Sequence, residues 1–500
     1  MSNIKKLSTL GVILIIFSVV FGFNNSPLAF YRMGYGAIPC YLFCGIAFFI
    51  PIMFMVAEYS SAFKNDHSGI YTWFRRSVGE SYACLGGFIF YFSYFTWMIF
   101  VVTVLCIPMS SFLFGEDITQ SWSLFGWDHI QTTGFFAILF MISITVLATR
   151  GFNKISVIAR FGGLMNVGIN ITLYSASFLL LILTKGEFAQ PIEGISSFLS
   201  SPSVEHSDIL YVLSFIILAL FAYGGPESLS SLVEKAKSPK VFARGVVISA
   251  LLITAGYSIS IFCWGISYNW NDLNIAEGVN MGNITYVMMG NLGYKLGLAM
   301  GWSNDLALSL GGWFTRAVGF SVFMTYMGAF FAMIYAPLKT ILEGAPKGFW
   351  PKFLTKKNKF DMPHIAMWIQ TFAVCVVVFL MSFSGQGSKS FYKTVILLAD
   401  VANALPYLFL AFAFPAFRRN SSLNHNYKLF KSKISVYIGA ALVFGIDLFA
   451  NIFIVIDPII SKEDDGIYQT LWMIGGPAVI LTVAFIMIFR YKKRIKLSDK

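Results

Sequence analysis

The sequence predicts an all-α polytopic membrane protein, and three features of its composition lead to this prediction. Hydrophobic residues make up 57% of the 500 positions and charged residues only 12%, against roughly 45–50% and about 25% in soluble proteins. Phenylalanine alone occurs 52 times, and the mean hydropathy is +0.71. A soluble protein of this size could not cover its surface with so few charged side chains, whereas a surface in contact with lipid requires none.

Twelve apolar stretches are long enough to be membrane-spanning helices, since a bilayer core of about 30 Å takes ~20 helical residues. The predicted spans are 9–33, 37–63, 82–110, 131–149, 156–184, 207–233, 244–268, 310–338, 364–385, 391–417, 434–457 and 467–490. We therefore expect one membrane domain over residues 1–500 and no soluble domain. The polar interval 269–309 contains short apolar pieces, which predict partial helices near the membrane surface.

The positive charges support this span count. With twelve spans, most of the 36 Lys and Arg residues fall in loops on one side of the membrane, which the positive-inside rule identifies as cytoplasmic. Both termini are then cytoplasmic. The net charge of +12 follows from this topology and calls for no nucleic-acid partner. The first apolar stretch has no small-residue cleavage site and leads into the next span, so we interpret it as a retained helix rather than a signal peptide.

Two spans contain a cluster of helix-breaking residues. Residues 21–27 read FGFNNSP in the first span, and residues 221–227 read FAYGGPE in the sixth. An offset of five spans, an odd number, places the two clusters in units of opposite orientation, which is typical of an inverted repeat. We therefore predict a five-plus-five fold with discontinuous helices 1 and 6. The first repeat covers about 9–184 and the second about 207–417, and helices 11 and 12, at about 434–490, are additional.

The two broken spans also predict a binding site, because an unwound backbone at membrane depth lines a cavity or is buried in protein. The N–H groups at the start of a half-helix, aided by the helix dipole, suit a carboxylate, and freed carbonyl groups suit an ammonium group. An amino acid carries both groups. The alternative is an ordinary kink in each helix, which is less expected for two breaks at equivalent repeat positions.

Several motifs, in this order along the chain, resemble those of a known family. The motifs are FIP at 49–51, AE at 57–58, SGIYTW at 68–73, VG at 78–79, YGGPE at 223–227 followed by Glu234 and Ser238-Pro239, and a block from Pro337 to Gln370. The chain resembles the amino acid–polyamine–organocation superfamily and, within it, the glutamate/GABA antiporter-like branch. Ser68 replaces the first glycine of its motif, and the first-helix segment departs from the Gly-Ser-Gly pattern of many amino acid permeases.

The resemblance implies a transporter that works by alternating access, with the substrate between helices 1 and 6 near the membrane midplane. Carried over by position, the residues at the substrate carboxylate are Gly22, Phe23, Asn24, Asn25 and Ser26, and those at its amino group are Tyr223, Gly224 and Gly225. Phe221 stands where the family places a gating aromatic. The implied function is a secondary active amino acid transporter of the bacterial inner membrane, an antiporter of glutamate-like or GABA-like substrates. The alternative is proton- or sodium-coupled symport of an amino acid or polyamine.

Few ionisable groups lie inside the predicted spans, where a charge costs ~2.5–3.5 kcal/mol on insertion scales. Glu227 directly follows the sixth-span break and either couples a proton to transport or accepts hydrogen bonds from the unwound backbone. Asp400 and Asn403 share one face of the tenth span, where they either face the pathway or bond to neighbouring helices. For Glu58, near the cytoplasmic end of the second span, we favour a structural role in which it reaches water or pairs with a cation.

Two further patterns bear on the substrate site. Tyr91, Tyr94 and Trp97 recur every three residues on the third span, which fits either packing or an aromatic wall along the site, and we assign Trp97 to the site. In some proton-coupled relatives a fifth-helix lysine is thought to replace sodium. The stretch 161–183 contains no Lys or Arg, and Asn166 lies near the equivalent position, which favours exchange.

The sequence predicts no enzymatic activity, no cofactor and no metal site. The five histidines are scattered over loops and span ends, and the six cysteines fall in apolar stretches without a CxxC pair, where they pack as small core residues. A membrane-embedded enzyme would need a dense set of acid, base and nucleophile, which the chain lacks. A passive channel would not explain paired helix breaks. The expected partners are a small-molecule substrate and the lipid bilayer; the particular substrate and the oligomeric state are not predicted.

Overall fold

The computed structural model describes residues 7–63, 69–199, 201–202, 209–226, 236–275, 278–384, 388–423, 425, 427–462 and 464–498. These ranges are almost entirely helical, and their only extended pairings are two isolated bridges. The helices are α1 Thr9–Val20, α2 Asn25–Met33, α3 Ala37–Cys44, α4 Ile50–Ala62, α5 Gly69–Ser77, α6 Glu80–Val104, α7 Cys106–Phe114, α8 His129–Ala148, α9 Phe152–Leu183, α10 Ser196–Leu199, α11 Ile209–Phe221, α12 Pro239–Ser267, α13 Trp270–Ile275, α14 Ile284–Ala299, α15 Asn304–Gly344, α16 His364–Phe383, α17 Ser388–Arg419, α18 Lys433–Ile460 and α19 Gly466–Ser498. The all-α prediction is confirmed.

Ten helical stretches in the described part of the chain are long and apolar enough to cross a membrane. All but one coincide with a single predicted span, and the exception, Asn25–Ala62, runs from the first predicted span into the second. Within that stretch Gly34 ends α2 with a φ of +55°, a left-handed conformation that glycine adopts without steric cost. The multi-span prediction is therefore confirmed, and the total of twelve spans stays a prediction.

The hydrophobic core contains two main clusters of buried side chains. The first cluster lies mainly in α1 to α4, α11, α12 and α14 and includes Phe21 and Tyr223, one from each helix break. The second cluster lies in α6, α8, α15 and α16 and includes Met98 and Phe331. Between helices in a bilayer, such packing stabilises through van der Waals contact. The two broken helices thus share one packed body with α12.

Helix α12 packs against α1, α2, α3 and α4 within the first cluster. Two of its glycines allow this close approach. A Cβ added at Gly245 would lie 2.5 Å from a methyl group of Val12, and one added at Gly256 would lie 3.0 Å from the Phe21 ring. Larger residues at either position would therefore push α12 away from the first broken helix.

The polar interval 269–309 contains two helices, α13 and α14, as predicted. Helix α14 is not simply a surface helix, because it packs against α15 and α9 and buries Ile284, Met288 and Leu292. The indole N–H of Trp270, at the start of α13, donates to the carbonyl of Tyr31 on α2 at 2.9 Å. This interval therefore covers the second half of the first broken helix.

Candidate substrate site at the two helix breaks

The break predicted in the first span is present. Helix α1 ends at Val20, α2 begins at Asn25, and residues 21–24 between them are not helical. These residues leave the helical hydrogen-bond pattern, so their backbone groups need partners from elsewhere in the protein. The partners come from α12 and α9.

The hydroxyl group of Tyr257, on α12, joins the two breaks. It accepts a hydrogen bond from the backbone N–H of Gly22 at 3.0 Å and a second from the side-chain amide of Asn25 at 3.0 Å. It donates to the carbonyl of Ala222, which follows α11 directly, at 2.8 Å. One fully buried hydroxyl therefore serves as acceptor for the first break and donor to the second.

The break in the sixth span is present on the side that the structure describes. Helix α11 ends at Phe221, and the following residues leave the helix. Gly225 has a φ of +103°, and its N–H donates to the hydroxyl of Tyr407 on α17 at 2.8 Å. The continuation of this span, including Glu227, lies outside the described residues, so the proposed roles of Glu227 stay predictions.

A neutral amide contacts the carbonyl group that the first break frees. The side-chain amide of Asn166, on α9, donates to the Phe21 carbonyl at 2.7 Å. Asn166 is 2% exposed, and the amide of Asn170 one turn further along donates to its carbonyl at 2.7 Å. The chain thus supplies an uncharged hydrogen-bond donor to the freed carbonyl.

Asn24 provides an unpaired acceptor at the first break. Its side-chain nitrogen donates to the hydroxyl of Tyr326 on α15 at 3.0 Å. Its side-chain oxygen is buried and has no hydrogen-bond partner among the described residues. At the next residue, the backbone carbonyl of Asn25 accepts a hydrogen bond from the hydroxyl of Tyr41 at 3.2 Å.

Three of the predicted site residues use their side chains in packing. Phe23, Ser26 and Tyr223 are nearly inaccessible to solvent. The Ser26 hydroxyl accepts from the indole N–H of Trp264 at 3.1 Å and donates to the Phe23 carbonyl at 3.3 Å. The Tyr223 ring stacks on Phe49 with ring centroids 4.7 Å apart. These residues can offer backbone groups to a ligand, whereas their side chains are engaged.

Space at the second break is limited. The N–H of Gly224 donates to the Phe221 carbonyl at 3.0 Å, and a Cβ added at Gly224 would lie 3.2 Å from that oxygen. The Tyr407 hydroxyl would be 3.9 Å from the same Cβ. The Phe221 side chain, the predicted gate, is half-buried and packs against the first cluster. An added side chain at Gly224 therefore disturbs the second break.

The aromatic stripe of the third span does not share one environment. Trp97 and Tyr91 pack against the second cluster, whereas Tyr94 belongs to the first. The Tyr91 hydroxyl donates to the side-chain oxygen of Gln370 on α16 at 2.8 Å. A contact between Trp97 and a substrate stays a prediction.

Glu58 has the cationic partner that its position predicts. Its side chain is 1% exposed, and it pairs with Arg418, at the end of α17, at 2.6 Å. The backbone N–H groups of Leu429 and Phe430 donate to its other oxygen at 2.6 and 2.9 Å. This arrangement ties α4 to α17 and to the segment before α18.

Asp400 and Asn403 lie on α17 and are half-buried. The Asp400 carboxylate forms no hydrogen bond or ion pair with another residue of the described ranges. Within those ranges no three His, Cys, Asp or Glu side chains come together as metal ligands would. The described residues of the two breaks are contacted by amide and hydroxyl groups.

Sequence reasoning missed the tyrosines that contact the breaks. Tyr257, Tyr326 and Tyr407 each supply a hydroxyl from a different helix. A hydroxyl at membrane depth needs a hydrogen-bond partner, so a tyrosine within a span indicates a polar contact there. With 23 tyrosines in the chain, that signal does not single out these three.

The family model for amino acid permeases matches residues 7–485. The chain belongs to this family. This permease is 43% identical over 494 residues to the inner membrane transporter YjeM of Escherichia coli K12, which covers 99% of the chain and 98% of YjeM. It is 23% identical over 499 residues to a glutamate/gamma-aminobutyrate antiporter of Lactococcus lactis, covering 98% and 92% of the two chains.

Among solved structures, a mutant of the Eremococcus coleocola manganese transporter is similar to this permease with a TM-score of 0.57 at 12% identity, covering 97% of this chain and 95% of that one. At this identity the likeness concerns the fold alone. The predicted superfamily and its transporter fold are confirmed. The permease is a membrane-embedded transporter of a small molecule, and its relatives support a multi-pass inner-membrane location; the cytoplasmic placement of its termini stays a prediction.

Proposed function

We propose that this permease exchanges amino acids across the inner membrane by alternating access, with glutamate-like or GABA-like substrates bound between its two helix breaks. One observation carries the proposal. The Tyr257 hydroxyl bonds to Gly22 of the first break and to Ala222 of the second, so the two unwound segments lie side by side. Together they offer backbone donors and acceptors to a molecule that has both a carboxylate and an ammonium group.

The contact between Asn166 and the Phe21 carbonyl favours exchange over sodium symport. A freed carbonyl beside a helix break is a typical ligand of a coupling sodium ion. Here an amide donor already lies 2.7 Å from that oxygen. Because this donor occupies one lone pair of the carbonyl, the contact supports exchange or proton coupling over sodium symport at this place.

The names of distant relatives agree with this substrate class. One is the glutamate/gamma-aminobutyrate antiporter described above, and another is an aspartate/glutamate permease of Lactococcus lactis, 22% identical over 494 residues. Identities this low support amino acid transport more strongly than a particular amino acid.

Proton symport of an amino acid or polyamine is the second candidate. Asp400 favours it, because a half-buried carboxylate within a membrane helix is a typical proton carrier in transporters. The two functions differ in a simple way. A symporter accumulates substrate in empty vesicles when a proton gradient is imposed, whereas an exchanger needs substrate inside.

The proposal is tested with purified protein in liposomes. We expect labelled amino acid to enter vesicles that contain unlabelled amino acid, with saturable kinetics, and not to enter empty vesicles. Gly224→Val should abolish this exchange, because its Cβ would lie 3.2 Å from the Phe221 carbonyl. Gly445→Val is the matched control, because Gly445 lies on α18 with no atom within 4 Å of an added Cβ. If a broad amino acid panel gave no saturable exchange, the proposed function would be wrong.

A further inference from the structure

Asp400 lies on the face of α17 that is turned towards the second break. Asp400, Asn403 and Tyr407 follow the spacing i, i+3, i+7, which places them on one face of the helix. The Tyr407 hydroxyl on this face accepts from the Gly225 N–H. Phe409 lies on the opposite face of α17 from Asp400. It packs against Tyr82 with ring centroids 5.3 Å apart.

The Asp400 carboxylate is an acceptor in a costly position. It is half-buried, within a helix long and apolar enough to cross the membrane, and it has no partner in the described part of the chain. A carboxylate at membrane depth is retained when a partner or a function compensates its cost. Glu58 is fully partnered, so its structural role does not account for Asp400. Asp447, on α18 outside the breaks, also has one side-chain oxygen without a partner among the described residues.

Asn24 is a second acceptor without a donor. Its side-chain oxygen is buried and unpaired among the described residues. The backbone donors of the breaks are in the opposite situation, since the Gly22 and Gly225 N–H groups are both bonded to tyrosine hydroxyls. The two side-chain groups left over here, the Asn24 oxygen and the Asp400 carboxylate, are therefore acceptors. An alkylammonium group, with three N–H donors and no acceptor, is the complementary ligand.

No ion pair within the described part of the chain joins Asp400 to a Lys or Arg, although Lys393 lies two turns before it on the same face of α17. The sequences of α1, α3, α4, α6, α11 and α16 contain neither Lys nor Arg, whereas α9, α12 and α15, which also contact the breaks, contain cations. Arg32, at the end of α2, is engaged with the Tyr211 hydroxyl at 2.8 Å. A substrate with a second amine would find at Asp400 a carboxylate without a partner in the described part of the chain.

We propose that Asp400 forms a subsite for a positively charged amine of the substrate, and that this permease selects amino acids or amines with a terminal ammonium group over dicarboxylic amino acids. This inference rests on the proposed function and narrows it to substrates with a terminal ammonium group, which GABA-like substrates have and glutamate lacks. Asn24 and the backbone of the breaks hold the remaining polar groups of the same substrate.

The test compares three five-carbon amino acids that differ only at the far end, where ornithine carries an amine, norvaline a methyl group and glutamate a carboxylate. Putrescine, a diamine without a carboxylate, is added as a fourth ligand. Thermal-shift titrations of the purified full-length protein give an apparent affinity for each, since a ligand of the folded state raises its unfolding temperature. We expect ornithine to act at concentrations about tenfold or more below those of norvaline and glutamate.

Substitutions then assign the preference to one residue. Asp400→Asn should remove the preference for ornithine, and Asp400→Glu should retain it. Asp447→Asn is the matched control, because Asp447 is also a buried aspartate, 2% exposed, on the neighbouring α18. The ranking of ligand affinities is measured on the wild-type protein, so it tests the amine preference even if Asp400→Asn fails to fold.

Each of the following outcomes overturns the inference. Glutamate binding more tightly than ornithine would do so, as would an Asp400→Asn variant that keeps the ornithine preference. A variant that keeps the preference and loses only pH dependence would make Asp400 a proton carrier instead. Binding of neutral amino acids without any preference for an amine would contradict the subsite alone. If no amino acid in a broad panel bound, the proposed function would be wrong as well.

Discussion

Two buried polar regions of this permease differ in how completely their acceptors are satisfied. At Glu58 both carboxylate oxygens have partners, namely Arg418 and two backbone N–H groups. The side-chain oxygen of Asn24, at the first break, has none in the described part of the chain, and neither has the carboxylate of Asp400 on α17. A buried polar group without a partner costs free energy. The comparison therefore separates a region that holds helices together from one that leaves groups available to a ligand.

The largest expected effect is on the satisfied region. Arg418→Met leaves the Glu58 charge buried and unpaired, which should lower the free energy of unfolding by about 3–5 kcal/mol. The midpoint of thermal unfolding in detergent measures this. Glu343→Gln is the control, because Glu343 pairs with the exposed Lys357 at 3.1 Å, and a surface pair contributes about 1 kcal/mol or less. Equal destabilisation by the two substitutions would contradict the view of Glu58 as a structural anchor.

The next effect concerns the link between the breaks. Tyr257→Phe removes the hydroxyl bonded to Gly22, Asn25 and Ala222, while the ring can still stack on Phe21 at 4.3 Å. We expect exchange in liposomes to fall about tenfold, because losing hydrogen bonds to buried groups costs roughly 1–3 kcal/mol.

A matched variant separates the role in transport from general stability. Tyr82→Phe also deletes a buried hydroxyl, which donates to the Phe409 carbonyl at 2.7 Å on the other face of α17. Its exchange rate should stay near that of the wild type. Wild-type exchange by Tyr257→Phe would show that its hydroxyl is not needed to align the breaks.

The smallest effect is expected at the freed carbonyl. Asn166→Leu leaves the Phe21 carbonyl without its amide donor, at a cost of about 1 kcal/mol, and exchange should fall a few-fold. Asn451→Leu on α18 is the control, because that amide donates to the Asp447 carbonyl at 2.9 Å outside the breaks. Recovery of Asn166→Leu by added sodium would reveal a latent cation site and weaken the case for exchange.

The helix breaks could be predicted because their causes are local. Gly22, Asn24 and Gly225 favour non-helical backbone wherever they occur in a membrane span. The pairing of Glu58 could also be expected, because its place near a span end brings cations within reach. Tyr257 could not be predicted, because it lies 235 residues from Gly22 and meets it only through the packing of α12.

The ends of the helices also show which features have local causes and which depend on long-range contacts. Hydropathy predicted the apolar part of α15 at 310–338, whereas the helix runs over Asn304–Gly344 because its polar ends continue beyond the apolar stretch. Helix α14 was predicted only in pieces, since Asn291 and Lys295 interrupt its apolar pattern. The structure satisfies Asn291 with a hydrogen bond to the Ser267 carbonyl at 3.0 Å, a long-range contact that no local pattern contains.

The glycine contacts of α12 have a consequence for motion. Because Val12 and Phe21 fit closely against Gly245 and Gly256, we expect α12 and the first broken helix to move as one body when the breaks open to one side of the membrane and then to the other. Tyr257 would then stay beside the unwound segment throughout the transport cycle.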